Sequence, residues 1–147
     1  LTQHVEMAFS GLKVPGSLEP FTNLEIEHIL PNKPEDDLRA KWANENQGMV
    51  YDDYKNRLGN LTLLEKPINI VAGNDFYTAK QVEYSKSGNY LTRSLVALTD
   101  VGQNTSISRI NATLAAFPAW NAASIEKRHG LLITLAQEVW KTTAIDV

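Results

Sequence analysis

Apolar and polar residues alternate in "LEIEHIL", with Leu24, Ile26, His28 and Leu30 on one side and Glu25, Glu27 and Ile29 on the other. The two-residue repeat predicts a strand whose face carrying Leu24, Ile26 and His28 is the apolar, inward one. Pro31 and Pro34 close it, since proline offers no donor to a ladder. Pro34 can then open a helix at its first position. That helix is expected over "EDDLRAKWANEN", with its acidic residues in the first turn, where the helix dipole favours them. Leu38 and Trp42, four apart, share its buried face.

A second helical stretch, "MVYDDYKNRL", stops at Gly59, which reads as a C-terminal cap. "NLTLL", Asn60 to Leu64, reads as a short strand, Pro67 starts a further helical turn, and Asn74 caps a helix over "DFYTAKQVEYSKS". From Asn89 onward the pattern is helical. Asn121 is the expected N-cap of a long last helix, with Trp120 and Ile125 as its hydrophobic staple. Ile125, Leu132, Leu135, Ala136 and Val139 form that helix's apolar stripe. Near the start, "GLKVPGSLEP" reads as a Gly- and Pro-punctuated loop. The expectation is one α+β, predominantly helical domain over residues 1–147, a small strand–strand–helix unit embedded in helices.

Composition narrows the chemistry. With 43% hydrophobic and 21% charged residues the chain is globular. It has no cysteine, which removes disulfides, thiolate metal sites and cysteine nucleophiles together. No apolar run reaches the roughly 20 residues of a membrane span. The start lacks the basic and apolar regions of a signal peptide and an initiator Met, so a fragment of a larger cytoplasmic protein is expected. The net charge of −3, with Lys and Arg interleaved among Asp and Glu, gives no general case for nucleic acid.

Three short motifs change the picture. Glu27-His28 ends the first strand, Asn60 opens the second, and Asn69 follows nine positions later. "EHILP", "GNLTLL" and Asn69 together resemble the HNH or His-Me finger nucleases, whose site is two strands and a helix around one divalent metal. The longer series "EHILP", "LGNLTLLEKPIN", "NDF", Lys80 and Tyr84-Ser85 is similar to the C-terminal nuclease domain of GmrSD-type restriction endonucleases. The motifs span Glu27 to Ser85, and the tail with Trp120, Ile125, Arg128 and Trp140 resembles that domain too.

The resemblance implies a ββα-metal, HNH-like core over about residues 21–87 and a helical remainder over about 89–147. It implies DNA as the partner, a nucleotide-hydrolysing and modification-sensing N-terminal domain elsewhere in the protein, and a role in restricting phage DNA. Within it, His28 is the candidate base, because an imidazole titrates near neutral pH and can take a proton from water. Glu27 and the amide oxygen of Asn69 are hard ligands suited to Mg²⁺ or Mn²⁺. Both are expected to face His28 across a small cleft, which requires the strand to twist or end there. Asn60 inherits a bracing role and is expected to bond backbone within Leu30 to Pro34. Lys80 either reaches a DNA phosphate or is a solvated surface lysine. Tyr84 and Ser85 help shape a groove, or Tyr84 belongs to the core, and His4 and His129 carry no role.

The chain departs from the broader HNH pattern in having Asn69 where many members have a third histidine, in having Ala72 where many have a lysine, and in lacking zinc-binding cysteines. One copy of each motif implies one site and hence nicking of one strand per encounter. The alternatives are an inactive helical module that binds DNA or a partner, and an RNase with the same site.

Overall fold

The computed structural model describes residues 23–99 and 106–140. Two strands, β1 (Leu24–His28) and β2 (Leu61–Glu65), form an antiparallel pair with Glu27 opposite Thr62 and His28 opposite Leu61. Helices α1 (Asp36–Glu45) and α2 (Tyr51–Lys55), then a 3-10 turn (Leu58–Asn60), lie between the strands. After β2 come α3 (Lys66–Ala72), α4 (Tyr77–Tyr84), α5 (Tyr90–Arg93), α6 (Ser106–Asn111) and α7 (Ala122–Trp140). The fold is α+β and mostly helical, as the periodicity predicts. The expected loop at residues 11–20 and His4 lie outside the described residues.

Alternation predicts the two faces of β1 correctly and the inward one wrongly. Ile26 is 64% exposed, whereas Glu27 is 6% exposed and shares its face with buried Thr62 and Leu64. The hydrophobic rule fails because α3 and α4 cover the glutamate face, and Glu27 finds a cation there. Beyond the strand, Ile29 and Leu30 both enter the core with Leu64, Tyr84, Trp120 and Ile125.

Cap positions also shift. Helix α1 begins at Asp36 with Glu35 as its cap position, so Pro34 lies before the helix and not at its first position; Leu38 and Trp42 are its buried residues. Phe76 precedes α4 in place of Asn74, and its amide donates to the Asp75 side chain at 2.7 Å. The last helix follows expectation: the Asn121 Oδ1 accepts from Ser124 N at 2.9 Å, and Ile125, Leu132 and Leu135 are buried. Asn46 adds a second acceptor, for Ala122 N at 2.8 Å, tying the start of α7 to the end of α1.

Gly59 has a different purpose from the expected helix cap. It lies inside the 3-10 turn, pressed on α7: a Cβ there would stand 2.1 Å from the Ile125 carbonyl oxygen and 2.9 Å from the His129 amide. Both obstacles are backbone, so a side chain must push the turn off the helix. Gly59→Ala is therefore expected to lower stability by about 1–3 kcal/mol or more, as overpacking does. A denaturant midpoint equal to wild type would show that the turn can move freely.

Candidate functional site

The chain from His28 to Pro31 is held at every residue by a bond to its backbone. The His28 carbonyl accepts from Lys80 Nζ at 2.9 Å. The Ile29 amide donates to the Asn60 carbonyl at 3.0 Å. The Asn60 side chain accepts from Leu30 N at 2.7 Å and donates to Leu30 O at 2.9 Å. The Pro31 carbonyl accepts from the Tyr51 hydroxyl at 2.6 Å. Proline at 31 cannot extend the ladder, so these bonds take over where strand pairing stops.

Asn60 itself is fully buried. Its Nδ2 also donates to Lys55 O at 2.7 Å, and its Oδ1 also accepts from Trp120 Nε1 at 2.9 Å. Arg128 fixes the backbone around it, with Nη1 donating to Gly59 O at 2.8 Å and Leu61 O at 2.7 Å. Burial pulls the Arg128 pKa down to about 10, which still leaves the guanidinium charged at neutral pH.

Glu27 points inward. Its Oε1 accepts from Lys80 Nζ at 2.6 Å and from the Tyr84 hydroxyl at 2.7 Å. Lys80 and Tyr84 are one turn apart on α4 and almost fully buried. Burial lowers the Lys80 pKa, with the Glu27 carboxylate opposing that shift. Burial, and then the Glu27 charge, push the Tyr84 pKa well above its ordinary value, so its hydroxyl stays protonated and donates. Lys80 is thus neither a solvated lysine nor positioned to touch a phosphate. No group among the described residues bonds Glu27 Oε2.

His28 occupies the opposite face of β1, half-buried, with Nε2 at 3.3 Å from Asn56 Oδ1. Asn69 lies on α3 against the Glu27 face, its Nδ2 donating to Glu25 Oε2 at 2.9 Å. Lys66 also reaches Glu25, at 3.7 Å. Glu25 and Glu27 are neighbours along one face of the strand, and the Asn69 Oδ1 has no partner among the described residues. The expected cleft with Glu27, Asn69 and His28 all facing one another is not what these contacts describe. Glu27 and Asn69 share a face, and His28 reaches the strand end from the other one.

Among the described residues no three His, Asp or Glu side chains gather as a metal cluster. The available donors are instead Glu27 Oε2 and Asn69 Oδ1, each held by a bond at its other atom. One carboxylate and one amide oxygen are hard donors of the kind a divalent cation takes.

Sequence reading missed Tyr51 and Asn56, which carry no pattern signal in their own segments. For Arg128 the signal exists: it falls between Ile125 and Leu132 on the apolar stripe of α7, where a charged residue needs buried partners. Lys80 and Tyr84 carry the same kind of signal, four apart on one helical face.

No curated protein and no solved structure matches the chain. Residues 3–135 match the family of GmrSD restriction endonucleases, C-terminal domain. Covering most of the chain, that match makes it a member of the family: a C-terminal domain of restriction endonucleases.

Proposed function

We propose that the β1–β2 hairpin and α3 form an HNH-type ββα-metal site that hydrolyses DNA phosphodiester bonds with one divalent cation, Mg²⁺ or Mn²⁺. The observation that carries this reading is the rigid His28–Pro31 segment, clamped by the Asn60 amide between the two strands. Those bonds fix the backbone that carries His28 at the residue where β1 ends, and only around that end can its imidazole meet a water held on the Glu27 side.

His28 is the general base. An amide oxygen can only accept, so Asn56 Oδ1 keeps the imidazole proton on Nε2 and leaves Nδ1 with the lone pair. Nδ1 then takes the proton from water. Glu27 Oε2 and Asn69 Oδ1 are the side-chain oxygens that would hold the cation. When bound, the cation neutralises charge on the scissile phosphate and stabilises the leaving oxygen. Asn60 keeps the histidine segment in place without touching the metal.

One site positions one phosphate, and the phosphate across the duplex has opposite polarity. The substrate is therefore nicked, and double-strand cutting needs a second copy, commonly through a two-fold interface. The net charge of −3 gives a weak grip on DNA, because nonspecific affinity follows the phosphates neutralised. With Mg²⁺ or Mn²⁺, supercoiled plasmid is expected to become open circles first, with linear DNA late and EDTA abolishing both. Linear DNA forming at once at low enzyme concentration would overturn nicking by a single copy. A folded protein that cleaves with neither metal would overturn the nuclease site as a whole.

A further inference from the structure

From the geometry around Glu27 we infer that Lys80 and Tyr84 are positioning residues for the metal site, gripping one carboxylate oxygen so that the other is presented to the cation. The inference rests on the proposed function and adds two residues from a separate helix to it. Both donors converge on Oε1, at 2.6 and 2.7 Å, and neither touches Oε2. A free glutamate rotates about its last torsion and exchanges its two oxygens. Two donors fixed on one helical face, four residues apart, remove that freedom.

Lys80 has a second contact that a plain ion pair would not need. The same ammonium donates to the His28 carbonyl at 2.9 Å. One buried cation thus ties the proposed metal ligand to the backbone of the proposed base, setting their relative placement from α4. Tyr84 adds no charge, and its ring is locked in the core, so its hydroxyl has a defined direction. Partners that orient a ligand from behind commonly change metal affinity by about 10- to 100-fold.

Mn²⁺ binding to the whole chain, followed by electron paramagnetic resonance of the free ion, tests this without relying on cleavage. Tyr84→Phe keeps the ring and removes only the hydroxyl. It is expected to weaken Mn²⁺ binding by about tenfold. Lys80→Met should weaken it at least as much while also lowering Tm, because it leaves Glu27 without its cation. Tyr77→Phe is the control: Tyr77 lies on the same helix with its ring beside that of Tyr84, but its hydroxyl donates to Leu95 O and Phe117 O and not to Glu27. That variant should lose stability with unchanged Mn²⁺ affinity. Equal affinity in wild type and Tyr84→Phe would overturn the inference and leave the proposed function standing. Tighter binding in either variant would also overturn it, because the pair would then be competing with the cation for Glu27. A wild-type chain that neither binds Mn²⁺ nor cleaves would overturn both readings.

Discussion

His28→Ala is expected to lower cleavage of supercoiled plasmid by roughly two to four orders of magnitude, the range typical for loss of a general base. The fold should survive the change. The imidazole is only half-buried on the outward face of β1, and its contact is the 3.3 Å approach to Asn56 at the surface. The backbone of the segment keeps every bond that fixes it, since those run through the His28 carbonyl, the Ile29 amide, Leu30 and Pro31. Far-UV circular dichroism and Tm close to wild type, together with the loss of nicking, would place the effect in chemistry. Wild-type cleavage by His28→Ala would remove the histidine from the reaction. Unfolding would instead make it a structural residue.

Asn60→Ala should act in the opposite way, through the fold before the chemistry. The substitution strips partners from Leu30 N, Leu30 O, Lys55 O and Trp120 Nε1 in a fully buried position. Each buried polar group left without a partner costs about 1–3 kcal/mol. Several such losses approach the whole stability of an ordinary domain, about 5–15 kcal/mol. A loss of at least about 3 kcal/mol is therefore expected, and it outweighs the modest effect on activity that a simple brace would imply. Urea denaturation measures it directly. Asn60→Asp separates the two kinds of bond. It keeps an acceptor for Leu30 N and Trp120 Nε1 but sets a carboxylate oxygen against the carbonyls of Leu30 and Lys55. If Asn60→Ala were as stable as wild type, the four-bond description of this amide would be wrong.

Local pattern alone determined much of this protein. The alternation of "LEIEH", the run after Asn60, the Pro67 turn and the 125, 132, 135 stripe of the last helix each express a backbone period. Such periods depend only on neighbours in the chain. Asn121 as an N-cap is equally local, because its partner amide is three residues away. The motifs around Glu27, His28, Asn60 and Asn69 likewise identified the family, which the match over residues 3–135 bears out.

What the chain's own pattern left open was decided between distant segments. Alternation defines two faces of β1 but is symmetric between them, and only the packing of α3 and α4 made the glutamate face the buried one. Lys80 reads as a surface residue until Glu27, far away in sequence, supplies the charge that lets an ammonium be buried. Gly59 resembles a helix stop in sequence, whereas its need for no side chain comes from α7 pressing on it. Arg128 and Tyr51 acquire meaning only from the carbonyls they meet in other elements. A residue's type sets what it can bond, and the tertiary structure sets which partner is within reach.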